Sequence, residues 1–136
     1  MNLDLHYTEI LPHPLPRVWA ALTTADALAE WLMDSDFELR VGNEFTFRCP
    51  PGPGIRGYVK CKLLELEPMQ RVVWSWLATN EGEPTIVTIE LEEVDGGTKL
   101  MLHHRGDTTR DVADRTTAGW TEKISELAQY LHRHCT

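Results

Sequence analysis

Apolar Leu3, Leu5 and Tyr7 alternate with polar Asp4, His6 and Thr8, a period of two that predicts a half-buried strand. The prolines at 12, 14 and 16 end it, so the strand runs to about Ile10. Pro16 suits the first turn of a helix, where its missing N–H is not needed, and Val18, Trp19 and Leu22 then share a face. Thr24 is placed to cap a second short helix with Leu28, Trp31 and Leu32 on one side. From Phe37 to Arg105 the period returns to two. Turn signals fall at Gly42-Asn43, Pro50 to Gly54, Glu67-Pro68, Asn80 to Pro84 and Asp95-Gly96-Gly97, which divides the stretch into six strands.

The alternation also assigns faces. Phe37, Leu39, Val41, Phe45, Phe47, Val59, Cys61, Leu63, Val72, Trp74, Trp76, Val87, Ile89, Leu91, Leu100, Leu102 and His104 point one way; Glu38, Arg40, Lys60, Lys62, Ser75, Thr88, Glu90, Glu92, Lys99 and Met101 point the other. A sheet apolar on one face needs a cover. Thr108 with Asp111 fits a capping box, and from about Thr109 to His132 the apolar spacing is helical through Val112, Thr116, Trp120, Ile124, Leu127 and Leu131. At 1.5 Å per residue such a helix reaches about 36 Å, enough to cross the sheet. The expected architecture is therefore α+β: about seven antiparallel strands, two short helices after the first, and a long C-terminal helix over the apolar face.

Composition narrows this further. A chain of 136 residues with 42% hydrophobic and 25% charged residues is expected to fold as one domain over its whole length, 1–136. The net charge of −8 disfavours nucleic acid and anionic lipid surfaces. No apolar run approaches the length of a membrane span, and the first residues lack the basic flank and continuous apolar run of a signal peptide, so the cytoplasm is the expected compartment. Cys49, Cys61 and Cys135 are odd in number and widely spaced, which reads as free thiols.

The stripe on the long helix is uneven. Its C-terminal half offers Ile124, Leu127 and Leu131, whereas its N-terminal half offers Ala113, Thr116, Thr117 and Gly119 around Trp120. Small residues leave space, and a glycine within a helix, which costs about 1 kcal/mol against alanine, suggests a close approach there by a ligand or a strand. An internal cavity is expected. Its walls would be Trp31, Trp74, Trp76 and Trp120 with Val87, Ile89, Leu100 and Leu102, and its polar points Tyr58, Cys61, His104 and Thr116. The plainer alternative is packing, since aromatic stripes at strand and helix spacing usually form core, and an inward histidine is commonly satisfied by its neighbours.

Nucleotide, hydride-transfer and zinc-protease motifs are absent from the sequence. His132, His134 and Cys135 read as a solvated helix end, and His103-His104-Arg105 is a poor metal site because neighbours on a strand face opposite ways. No metal and no cofactor are expected.

Several segments, in order, carry a family resemblance: Pro16 to Thr23, Leu28 to Trp31, Val41 to Phe45, Arg71 to Trp76, Thr88 to Leu91, Gly97 to Leu100, His104-Arg105-Gly106 and Gly119-Trp120. Over essentially the whole chain they resemble the bacterial homologues of the activator of heat-shock-protein-90 ATPase, within the START-like (SRPBCC) superfamily. The resemblance implies a helix-grip fold, a curved antiparallel sheet wrapped around the C-terminal helix and enclosing a cavity. Thr24-Ala25 stands where that family often has Asp-Pro, and Asn43 where it often has a second glycine. The superfamily holds ligand binders, polyketide cyclases and co-chaperone domains on one scaffold. The eukaryotic co-chaperone has a separate N-terminal chaperone-binding domain, and this chain resembles only its C-terminal one. The expected function is non-catalytic binding of a small hydrophobic or aromatic molecule. A co-chaperone-like module docking a chaperone or other protein, and a cyclase-like enzyme, are the alternatives.

Overall fold

The computed structural model describes residues 2–48, 58–77 and 84–133. In chain order the elements are β1 (Asn2–Leu11), α1 (Leu15–Thr23), α2 (Ala25–Trp31), β2 (Asp34–Ser35), β3 (Glu44–Arg48), β4 (Tyr58–Glu67), β5 (Arg71–Leu77), β6 (Thr85–Val94), β7 (Gly97–Asp107) and α3 (Arg110–Arg133). The strands form one seven-stranded antiparallel sheet ordered β1-β7-β6-β5-β4-β3-β2. The first strand thus crosses over to pair with the last. Next-in-sequence hairpins build the rest.

Side-chain alternation turns this ladder into two faces. Leu63, Trp74, Val87, His104 and Leu5 lie in one row across β4, β5, β6, β7 and β1, and Phe45, Cys61, Trp76 and Thr85 lie in the adjoining row. Helix α3 closes this face with Trp120, Ile124, Leu127 and Leu131, all buried, joined by Val18, Leu22 and Leu28 from the short helices. The core is continuous and rich in rings: Phe37 packs on Phe45, Phe45 on Phe47 and Trp74, and Phe47 on both Trp74 and Trp76, at centroid separations of 4.9 to 6.2 Å, all edge-on or tilted.

Two expectations fail for local reasons. The segment Phe37–Val41 is not a strand. Its backbone is held by short polar side chains: Phe37 N–H donates to Ser35 Oγ, Glu38 N–H to Asn43 Oδ1 (both 3.1 Å), while Asn43 N–H donates to Arg40 O at 3.0 Å. Leu39 and Val41 are consequently exposed, and only Phe37 enters the core. The ladder gains the two-residue β2 instead, formed just before this segment.

The second failure is at helix N-termini. Thr24 precedes α2 in extended geometry, but its hydroxyl donates back to Ala20 O at 2.9 Å and makes no capping bond. For α3 the cap is Thr109, whose Oγ1 accepts from Val112 N–H at 3.2 Å, one residue later than Thr108. The side chain of Asp111, the Pro50–Gly54 loop, the turn before Pro84 and the cysteines at 49 and 135 lie outside the described residues.

Candidate functional site

The site is organised by His104, which is completely buried on β7. Trp120, one of the α3 residues that roof the sheet, donates its indole N–H to His104 Nδ1 at 2.9 Å. On the other side His104 Nε2 lies 2.6 Å from Thr85 Oγ1, and that hydroxyl lies 3.1 Å from Trp76 O. Only one proton arrangement satisfies all three contacts. The indole must donate, so Nδ1 accepts; the Thr85 hydroxyl donates to the Trp76 carbonyl, so Nε2–H donates to Thr85. The imidazole is neutral. A proton on Nδ1 would face the Trp120 N–H donor to donor, and burial together with neighbouring His103 pushes the His104 pKa down to about 4.

Gly106 makes this geometry possible. It sits two residues after His104 with φ +152°, and a Cβ there would stand 2.6 Å from Thr85 Cγ2 and 2.9 Å from Thr85 Cα. Without a side chain, β6 comes close enough to bring Thr85 to the imidazole. Around the relay, Trp76 stands edge-on to His104 at 5.6 Å and tilted to Trp120 at 5.7 Å.

Most residues singled out from the sequence share this inner face. Trp74, Val87, Ile89, Leu100, Leu102 and Trp120 are buried with His104, and Trp76 is half-buried beside them. Cys61 is buried opposite Trp76, and burial pushes its thiol above its ordinary pKa, keeping it protonated. Trp74 has a further property: it is fully buried, yet its indole N–H meets no acceptor among the described residues.

Four expectations are revised. Trp31 is core of a different kind, its Nε1–H donating to Ala21 O at 2.8 Å and tying α2 to α1. Tyr58 falls out of phase with buried Val59 and Cys61 on β4, so it occupies the opposite face of the strand. Thr116 spends its hydroxyl on Val112 O, 2.7 Å away within its own helix. Gly119 has nothing within 4 Å of where a Cβ would stand, so no strand presses on it.

Thr85 is the member that sequence reasoning missed. Nothing local marks it, because its role comes from the β5–β6 register that sets it opposite Trp76. His13 was missed as well: it is buried among prolines with Nδ1 unpaired among the described residues, bordering a groove of about 400 Å³ with Pro12, Leu15, Glu93 and Gly97. A second groove, about 420 Å³, crosses the sheet over Glu44, Thr46, Lys60, Lys62, Ser75 and Leu77.

A seven-stranded antiparallel sheet, two short helices and a long helix laid on the sheet's inner face define an α+β helix-grip protein of the START-like (SRPBCC) class. The family described as Activator of Hsp90 ATPase homolog 1-like protein matches residues 12–132, and the chain belongs to that family. Among solved structures, MLL2253 from Mesorhizobium loti superposes with a TM-score of 0.88 at 27% identity, covering 98% of this chain and 99% of that one. BH1534 from Bacillus halodurans superposes at 0.77 with 25% identity, covering 93% and 95%. DynU16, a protein in the dynemicin biosynthetic locus, shares the fold at 0.81 and 21% identity; the match covers 95% of this chain but 47% of that one. No curated protein matches the chain. Among the described residues no helix is long and apolar enough to cross a membrane.

Proposed function

We propose that the chain binds a small hydrophobic or aromatic molecule, carrying at least one hydrogen-bond acceptor, between the inner face of the sheet and α3. The observation that carries this reading is the indole N–H of Trp74, fully buried and without an acceptor among the described residues. A buried donor left unmade costs about 1–3 kcal/mol, and an acceptor on a bound molecule would recover it. Trp76, Leu102 and Trp120 supply apolar surface, each Å² removed from water contributing about 25 cal/mol.

Binding without catalysis is favoured by His104. Both of its nitrogens are engaged by Trp120 and Thr85, so it serves as a fixed wall of the site and not as a base waiting for a substrate proton. The reading needs no cofactor, and it takes the cytoplasm as the compartment and the whole chain as one domain.

Native mass spectrometry of freshly purified protein tests this, followed by titration with 2-naphthol monitored by tryptophan fluorescence. Saturable binding is expected, abolished by Leu102→Arg and weakened about fivefold by Trp74→Phe, which keeps the ring and removes the donor. The absence of both a retained mass and saturable binding would overturn the reading in favour of a protein-docking module. Turnover of an added polyketide-like substrate, lost in His104→Ala, would overturn it in favour of the enzyme.

A further inference from the structure

On the face of the sheet away from this site, Asp4, His6 and His103 form a cluster that the ligand-binding reading does not use. Asp4 and His6 are two apart on β1, so they share a face, and His6 is directly opposite His103 on β7. The two imidazoles stack in near-parallel planes, 16° apart with centroids at 4.0 Å. Both direct Nε2 at the same carboxylate oxygen: Asp4 Oδ1 is 2.7 Å from His103 Nε2 and 3.1 Å from His6 Nε2. The three donor atoms lie within 4.8 Å of one another.

We propose that Asp4, His6 and His103 form a binding site for a divalent first-row transition ion, with Zn²⁺ as the representative case. Two imidazoles and one carboxylate match the ligand set of such ions, and hard Mg²⁺ or Ca²⁺ would instead ask for a cage of oxygens. The spacing also fits. Ligands about 2.0–2.2 Å from a tetrahedral ion stand about 3.3–3.6 Å apart, so the 3.1 Å contact opens by a few tenths of an ångström and the 2.7 Å one by more than half an ångström, a shift that exposed side chains can make. Three protein ligands leave at least one position for water.

The donors come from two strands that meet only through the β1–β7 pairing, and β1 is an edge of the sheet. A bound ion would therefore pin the edge strand to its neighbour. Other groups share this surface by register: Arg105 opposite Asp4, Met101 opposite Thr8, two residues along from His103, and Thr88 of β6 opposite His103 itself. His6 is 68% exposed and Asp4 63%, so substituting either leaves the core intact.

The test uses the full chain without an affinity tag, titrated with Zn²⁺ by calorimetry and with Co²⁺ by visible absorption. One equivalent is expected to bind, with low-coordinate Co²⁺ bands, a rise in Tm with added Zn²⁺, and a loss of affinity of at least tenfold in His103→Ala, His6→Ala and Asp4→Asn. Each variant's Tm without metal confirms that it folds. Metal binding unchanged in His6→Ala and His103→Ala, or abolished by His132→Ala with His134→Ala, would overturn the proposal, as would no binding of either ion. Because the aromatic-ligand titration reads the other face, its failure and the failure of this site are separable.

Discussion

His103 and His104 are neighbours on one strand and share almost nothing else. His104 faces inward, completely buried, with both nitrogens committed to Trp120 and Thr85. His103 faces outward, partly exposed, stacked on His6 and bonded to the carboxylate of Asp4. A one-residue step on a strand moves an imidazole from a dry aromatic wall to a wet surface, and its chemistry changes with it. Inside, low polarity fixes one tautomer and excludes the charged form. Outside, the ring meets an anion whose own pKa is lowered, chiefly by the hydrogen bond from His103. The same residue type serves as a structural strut on one face and as a metal-ligand candidate on the other.

The largest expected effect breaks the inner half of that contrast. Trp120→Ala removes a buried indole from between α3 and the sheet and leaves His104 Nδ1 without its donor. A loss of about 4 kcal/mol is expected, read by urea unfolding. A loss below about 1 kcal/mol would mean that α3 does not depend on this contact.

Acid should expose the neutrality of His104 almost as strongly. Its folded pKa, about 4, lies below the ordinary 6.5, so the unfolded chain binds the proton more readily and stability increases with pH. Stability is full above about 6.5 and falls as pH drops from there toward 4, by about 3 kcal/mol in total. His13 is shifted downward too, mainly by burial, and acts in the same direction; Asp4, whose pKa is lowered chiefly by the hydrogen bond from His103, keeps its contribution down to its ordinary 3.8 and loses it only as pH falls further. The informative quantity is therefore wild type minus His104→Gln, which retains a donor and an acceptor without titrating in this range. Parallel pH profiles for the two would refute the neutral relay.

Gly106→Ala probes how the inner site is assembled without touching the imidazole. The new methyl would meet Thr85 at 2.6–2.9 Å on a backbone at φ +152°, so β6 must retreat from β7. About 2 kcal/mol of destabilisation is expected, together with an upfield change in the Trp120 indole N–H resonance as its hydrogen bond to His104 weakens. Thr85→Ser in the same background keeps the hydroxyl and relieves part of the overlap, so partial recovery is the accompanying outcome.

Much of this molecule was legible along the chain because its main elements follow simple periods. The alternation of Val87, Ile89 and Leu91 with Thr88, Glu90 and Glu92, and the stripe through Trp120, Ile124 and Leu127, each report one buried face. What failed was decided by short polar side chains with a choice of backbone partners. Ser35 and Asn43 fold Phe37–Val41 into turns despite its alternation, and Thr24 bonds backward along α1 when it could cap α2. The site was half legible for a related reason. Periodicity places His104, Trp74 and Trp120 on facing surfaces, but only three-dimensional register joins His104 to Thr85, or brings Asp4 and His6 from one end of the chain to His103 near the other. Tyr58 shows the converse: chemically attractive, and on the wrong face of its strand.

The smallest expected effect completes the contrast from the outside. His103→Ala removes an imidazole that is about one-third exposed, and its polar contacts are with Asp4, itself mostly exposed. Exposed hydrogen-bonded pairs of this kind contribute well under 1 kcal/mol, because water replaces each partner at little cost. Without metal the change should stay within about 0.5 kcal/mol in urea, against several for Trp120→Ala on the opposite face. With saturating Zn²⁺ the gap between wild type and His103→Ala should widen as the metal concentration rises, since only a folded chain holding all three ligands gains from binding. A metal-independent gap of 2 kcal/mol or more would show instead that the stacked pair carries load of its own, and the two histidines would then differ in exposure but not in structural weight.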